Sequence, residues 1–431
     1  MKRVPAIILA AALAVLLASN ALAAQSGLSN FTLSDNYASG RFHDVTGREW
    51  YASYIEDAYN YGFIQGKSEN TFDPGGLLTL GESVVLAVRL MSIYKTGAAD
   101  FEVSQPFYEV YADYALSNGV IDSHGDYESA ATRARFAQLV YNALPREEFS
   151  EINAVPDYAI CDVSPASSYG DAVYALYRAG VLSGSDRFGA FFPESNITRA
   201  EACAVMVRLA DPDSRVSVSL PARIPADLIF ERNVNAAFLI ETFDSDGDSI
   251  RTGSGFFFSG AGYAITNLHV FDNAARATVT TYYGDIYPVL GVNAVSEENN
   301  LAIFSVGSDY GRRNYLSLAD SDVIETGNTV YALGSPLGLI NTFTEGIVSN
   351  TKRELDGQMF IQFSAPISFG SGGSALLNAL GQVIGVTSSS FSYGQNLNLA
   401  VPVNFIKELE PGELVPLADL LDDSLEDSLE D

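Results

Sequence analysis

Gly253-Ser-Gly-Phe-Phe-Phe-Ser-Gly-Ala-Gly-Tyr-Ala-Ile-Thr-Asn-Leu-His-Val270 is the stretch on which the reading of this chain turns. Phe256 to Phe258 predicts an apolar strand, Ser259 to Gly262 a glycine-marked turn, and Tyr263 to Thr266 a second strand that delivers His269 at its end. The chain has only three histidines, and the other two, His43 and His124, lie in segments of different character. A lone histidine at a strand end is more often a cap than a catalytic base, so the residues downstream must decide.

Downstream come Asn300-Leu-Ala-Ile, Gly334-Ser-Pro-Leu-Gly, Phe369-Gly-Ser-Gly-Gly-Ser-Ala-Leu-Leu-Asn, Gly381-Gln-Val-Ile-Gly-Val and Asn398-Leu-Ala-Val-Pro. Short strands between glycine turns, with hardly a helical period before Phe405, predict an all-β barrel. The ordered series resembles the trypsin-like serine peptidases of the HtrA/Deg family over about residues 226–410. That resemblance implies a double β-barrel with the active site between barrels, no cofactor and no metal. It also implies an endopeptidase acting on extracellular polypeptides through an acyl-enzyme, with His269 as base.

Two positions depart from the family. The acid that orients the histidine is replaced by Asn300, which can hydrogen-bond the imidazole but carries no charge and can present an amide N–H that selects the wrong tautomer. Glu298 is the nearby carboxylate that could substitute. An ungapped alignment places Gly372 where the nucleophile belongs. Ser371 keeps a following Gly-Gly pair but puts Phe369 at the first oxyanion position; Ser374 has Gly372 two residues before it as an oxyanion donor but loses the following glycines. Three readings stay open: Ser371 as nucleophile, Ser374 as nucleophile, or none. The alternative to a working peptidase is a degenerate pseudo-protease that binds peptides or partners, because members of a triad act as a unit.

Working outward, the N-terminal half repeats. Phe42-His-Asp-Val, Gly62-Phe-Ile-Gln-Gly66 and Leu78-Thr-Leu-Gly-Glu82 recur as Ile160-Cys-Asp-Val, Gly180-Val-Leu-Ser-Gly184 and Ile197-Thr-Arg-Ala-Glu201. A worn copy between them has Phe107-Tyr-Glu-Val, Gly119-Val-Ile and Ala131-Thr-Arg-Ala-Arg135. Thr-x-x-Glu is a capping box, so each unit predicts a helix, a loop and a second helix opened by threonine. The three units resemble S-layer homology repeats, at about 42–95, 106–145 and 160–210. The resemblance implies binding of secondary cell-wall polysaccharide or peptidoglycan, with Arg199 and Arg133 meeting a carboxylate; repeat one has Leu80 at that position. On the residues alone, these arginines brace the capped helices.

Met1-Lys-Arg, the apolar run Ala6 to Ala18 and Ala21-Leu-Ala23 predict a signal peptide over 1–24, followed by a short linker over 25–41. No later stretch predicts a membrane span. A proline-containing linker is expected at 211–225, and an acidic, solvated, disordered tail at 411–431. The net charge of −29 argues against nucleic-acid partners. Asp244-Ser-Asp-Gly-Asp248 begins like a calcium loop, but Gly255 stands where a bidentate carboxylate is needed, so a polar hairpin turn is expected. Cys161 and Cys203 have no nearby histidine to suggest zinc or nucleophilic chemistry; a disulfide between them is left open. The expectation is thus a secreted, wall-associated, multidomain chain, mainly α then all-β.

Overall fold

The structure is a computed structural model that describes residues 27–34, 36–102, 104–312, 314–355, 357–390 and 397–420. The expected signal peptide and residues 421–431 lie outside them. The chain divides into two compact units, one of 1–155, 168–183 and 192–218, the other of 156–167, 184–191 and 219–431.

The first unit holds three helix pairs: α1 (Ala52–Asn60) with α2 (Leu80–Thr96), α3 (Glu109–Ser117) with α4 (Arg133–Ala143), and α5 (Gly170–Arg178) with α6 (Arg199–Ala210). The second helix of each pair starts at a threonine. Thr79 and Thr198 form complete boxes, each hydroxyl accepting from the glutamate's N–H while Glu82 and Glu201 accept from the cap's own N–H at 2.9 Å. Thr132 makes half a box, accepting from the N–H of Arg135 at 3.2 Å, because a guanidinium cannot accept in return.

The three caps close a ring. Helix N-termini leave free N–H groups, and here each helix gives its first two to the loop of another pair. Leu80 and Gly81 donate to Ser129 and Tyr127, Arg133 and Ala134 to Ser195 and Pro193, and Arg199 and Ala200 to Gly76 and Pro74, all at 2.8 to 3.0 Å. Single bridges, Leu77 with Thr198, Thr79 with Ala130 and Thr132 with Asn196, repeat the same cycle.

In the second unit, β1 (Ala237–Phe243), β2 (Ser249–Phe257), β3 (Tyr263–Asn267), β4 (Arg276–Thr280), β5 (Ile286–Ser296) and β6 (Leu301–Val306) close an antiparallel barrel in the order β1-β2-β3-β6-β5-β4. β7 (Thr329–Gly334), β8 (Thr342–Leu355), β9 (Gln358–Phe363), β10 (Ala375–Leu377), β11 (Val383–Ser390) and β12 (Asn398–Pro402) close a second, in the order β10-β11-β12-β9-β8-β7. Phe238, Phe257 and Phe304 fill the first barrel, and Val348, Ile361 and Phe363 the second. Phe256, Ile265, Leu333 and Val401 form a third cluster that takes residues from both. Alternation explains this: Phe256 and Phe257 face opposite sides of one strand, and both sides are buried.

Two expectations about loops meet the structure here. The Asp244 carboxylate accepts from the N–H groups of Asp246 and Asp248 at 3.0 and 2.9 Å, so the loop is a self-closed polar turn between β1 and β2. The start of the expected tail is largely exposed but is tied to the first barrel at two points. Val415 and Val292 exchange both backbone hydrogen bonds at 2.8 Å, and Leu417, 4% exposed, joins the core of the first barrel. Its apolar residues outweigh the acids around them, since burying one leucine is worth about 1.5–3 kcal/mol.

Candidate active site

His269 sits on a short 3₁₀ turn, Leu268–Phe271, directly after β3. Asn300, just before β6, holds that turn from several sides. Its carbonyl accepts from the N–H of Leu268 at 3.0 Å and from the Asn267 side chain at 3.2 Å. Its side-chain oxygen accepts from the N–H of His269 at 2.9 Å, and its amide nitrogen lies 2.8 Å from His269 Nδ1. Asn300 has φ +51, in the left-handed region that asparagine tolerates better than most residues.

This arrangement assigns the tautomer. The backbone N–H of His269 can only donate, so the oxygen of the carboxamide must face it and the NH₂ must face the ring. Nδ1 therefore accepts, and in the neutral imidazole the proton sits on Nε2, the nitrogen on the side of Gly372. A base needs that nitrogen bare. Burial holds the His269 pKa below its ordinary value, and the Arg251 guanidinium adds to this while Asp272 opposes it. A hydrogen bond to Asn300 could raise it only with oxygen toward Nδ1, and that oxygen is already held. Glu298 is exposed, and the Nδ1 side it would need is filled by Asn300.

The glycine-rich loop before β10 faces Nε2. A Cβ built on Gly372 would lie 3.5 Å from His269 Nε2 and 3.1 Å from Asn267 Oδ1. The side chain of residue 372 is thus the one aimed at the histidine, and glycine provides none. The flanking serines face other groups. Ser371, 3% exposed, accepts through its hydroxyl from the N–H of Ser368 at 3.1 Å. Ser374, 1% exposed, is packed beside Gly334, and its hydroxyl has no partner. Among the described residues, no serine hydroxyl is hydrogen-bonded to His269.

The loop itself is firmly held. Ser254 donates through its hydroxyl to the Gly370 carbonyl at 2.7 Å and accepts from the N–H of Ser335 at 2.8 Å, while its own N–H donates to the Gly372 carbonyl at 2.9 Å. The Thr387 hydroxyl donates to the Ser371 carbonyl. Gly370 and Gly373 have φ of +83 and +86, where a side chain would be strained. Two residues that the sequence did not single out belong here: Ser254, which ties the loop to β2, and Asn267, fully buried with Oδ1 unpartnered. Asn267 lies inside the opening stretch, in the Thr-Asn-x-His-Val run that carries the resemblance, but no role of its own follows from the sequence.

The arginines expected to meet wall polymer lie in the first unit. Arg199, 5% exposed, donates from Nε to the Phe72 carbonyl at 2.9 Å and from Nη2 to the Gln65 carbonyl at 2.7 Å, and pairs through Nη1 with Glu82 at 3.4 Å. Arg133, 8% exposed, pairs with Glu201 at 2.7 Å. Cys161 and Cys203 are unbonded and buried, and burial pushes both thiols up to about 12. Among the described residues there is no cluster that could hold a metal ion.

Comparison with known proteins accords with the fold and with the ordered motifs. The family of trypsin-like peptidase domains matches residues 253–386, and the S-layer homology domain family matches 41–82 and 162–203. Similar proteins include a putative serine protease HhoB of Synechocystis, 35% identical over 161 residues, and a probable periplasmic serine endoprotease DegP-like of Chlamydia pneumoniae, 37% identical over 144 residues. These alignments cover 35% and 32% of this chain and span only 38% and 29% of the relatives. A solved HtrA-type protease AlgW with tripeptide is 29% identical, with a TM-score of 0.40, over 43% of this chain and 62% of that one.

Proposed function

We propose that this chain, two S-layer homology repeats joined to a trypsin-like peptidase domain of the HtrA type, is exported and held at the cell wall, where its cleft binds extended polypeptide without cutting it. The observation that carries this reading is at Gly372: the side-chain position 3.5 Å from His269 Nε2 has no hydroxyl. The tautomer set by Asn300 acts in the same direction, since a protonated Nε2 cannot accept a proton from a nucleophile. The loop's hydrogen bonds to Ser254 and Thr387 support a formed binding surface, while the glycine and the tautomer support binding without cleavage.

The repeats supply the attachment, and we read residues 106–145 as a third repeat, because Thr132 and α4 occupy the same place in the ring as Thr79 and Thr198 with their helices. In this reading the wall polymer, a secondary polysaccharide or peptidoglycan, binds the repeats, with Arg199 serving as a brace rather than a direct ligand.

Labelling with a fluorophosphonate serine-hydrolase probe tests the cleft. The natural chain should stay unlabelled, Asn300→Asp alone should stay unlabelled, and Gly372→Ser with Asn300→Asp should label. The change from asparagine to aspartate at this position is worth about 10⁴ in turnover in another serine protease. Label on the natural chain that disappears with Ser371→Ala or Ser374→Ala would replace this reading with an active endopeptidase.

A further inference from the structure

Two backbone N–H groups of the loop before β10, those of Gly370 and Gly372, donate to nothing among the described residues. Their directions follow from the carbonyls that share their peptide planes, because the C=O and N–H of a trans peptide point opposite ways. The Phe369 carbonyl accepts from the N–H of Leu337 at 2.8 Å, so the Gly370 N–H points away from Leu337. The Ser371 carbonyl accepts from the Thr387 hydroxyl and from the N–H of Ser374 at 3.0 Å, so the Gly372 N–H points away from β11. The left-handed φ of +83 at Gly370 turns these alternate amides toward one side, as in the N–H concavities that hold anions. Both glycines are partly exposed, and Nε2–H of His269, on the side of Gly372, is a third donor without a partner that keeps contact with solvent. We infer that these donors form a site for the C-terminal carboxylate of a polypeptide, so that the cleft holds a chain end rather than an internal segment. The inference rests on the reading of the cleft as a silent binding site and names the ligand class of that site.

Chemistry selects the group. The accessible atoms are donors, and the unpaired acceptor nearby, Asn267 Oδ1, is buried from solvent. A carboxylate brings two oxygens and a charge, and hydrogen bonds to an ionised acceptor are roughly twice as strong as neutral ones. An internal peptide carbonyl brings one neutral oxygen, and an ammonium brings only donors. The glycine at 372 acts in the same direction: no hydroxymethyl group stands between the loop amides and Nε2, so a second carboxylate oxygen is not screened from the imidazole. In a cutting enzyme that place belongs to the nucleophile. The net charge of −29 disfavours every anion at long range, so recognition here depends on close contact alone.

An equimolar pool of random decapeptides with free C-termini, passed over the immobilised full-length chain, tests this. Each retained peptide is remade as the free acid and as the primary amide. Amidation should weaken binding by about tenfold or more, the loss expected for charge-assisted hydrogen bonds. The amide carries one negative charge fewer, so the chain's own field favours it and cannot produce the preference. Gly372→Ser, with Asn300 kept, should lower the preference by about threefold or more, because its hydroxymethyl group takes the place of one carboxylate oxygen. The backbone of Gly372 is not in the left-handed region, so this variant should fold, and unchanged thermal unfolding would verify it. Acid and amide forms that bind equally, including peptides held through aspartate or glutamate side chains, would overturn the chain-end site while leaving the cleft a peptide binder. A preference that Gly372→Ser leaves intact would put the carboxylate elsewhere on the chain and overturn the assignment. Retention of no peptide at all would overturn both the site and the binding cleft.

Discussion

The carboxamide of Asn300 faces two groups of His269 at once, the backbone N–H and Nδ1, and only one of its orientations satisfies both. Protonating Nδ1 would set an N–H against the amide NH₂, so the protein resists the imidazolium by geometry as well as by burial. The sign for stability follows: the folded pKa lies below the ordinary 6.5, so His269 contributes stability above that value and loses it as pH falls below it. In ¹⁵N spectra of the imidazole, the neutral ring should show its proton on Nε2 and should titrate below 6.5; a proton on Nδ1 at neutral pH would undo the assignment. Asn300→Asp should move the titration upward and transfer the proton to Nδ1, because a carboxylate accepts and attracts charge. The sequence carried much of this residue-scale picture: it exposed His269, Asn300 and Gly372 and the tautomer risk. It could not reveal that Ser371 and Ser374 face other groups, because which way a side chain points from a loop with φ of +83 and +86 at two glycines is set by hydrogen bonds from β2 and β11, over a hundred residues away for Ser254.

At the scale of elements, the capped helices are linked by ion pairs on two of three seams. Arg133 of α4 reaches Glu201 of α6, and Arg199 of α6 reaches Glu82 of α2. The third link would run from position 80 of α2 to position 135 of α4, and there the chain has leucine and arginine. Both ends of one pair are therefore missing together, and repeat matching alone shows the two substitutions without showing that they belong to one seam. Leu80→Arg with Arg135→Glu should complete the ring and also complete the Thr132 capping box, raising the unfolding midpoint of the first unit; Arg135→Glu alone should give only the capping-box gain, and Leu80→Arg alone should be neutral or harmful. A gain for the two singles that simply adds to the double would argue against a shared seam. Arg199→Ala should cost about 1–3 kcal/mol in denaturant unfolding, since it leaves the buried Phe72 carbonyl without its donor and removes a partner from the Gln65 carbonyl and from Glu82. The return of Gly412 to Leu420 onto the first barrel was likewise hidden behind an acidic composition, and Leu417→Ala there should lose about 2–4 kcal/mol from the second unit.

For the molecule as a whole, charge and attachment matter more than any single contact. Among the described residues no helix is long and apolar enough to cross a membrane, and the S-layer homology repeats indicate association with the cell surface. With 53 acidic against 24 basic residues, the chain carries −29 and draws cations toward it. A negative field of this size speeds the encounter of basic polypeptides by about 10-fold or more at low salt and slows acidic ones, and it fades once the Debye length falls to about 10 Å at 0.1 M ionic strength. Short-range contacts in the proposed binding cleft would be screened far less than this long-range field. Stopped-flow association of one peptide ligand in two forms, with lysines or glutamates appended outside its bound register, separates the two contributions. Between 20 and 300 mM salt, taken as roughly a fourfold change in Debye length, the association rate of the lysine form should fall steeply and that of the glutamate form should rise. Their dissociation rates should stay close to one another. Equal association rates for both forms at low salt would show that the cleft is reached without steering, and the acidity of the chain would then bear on solubility alone.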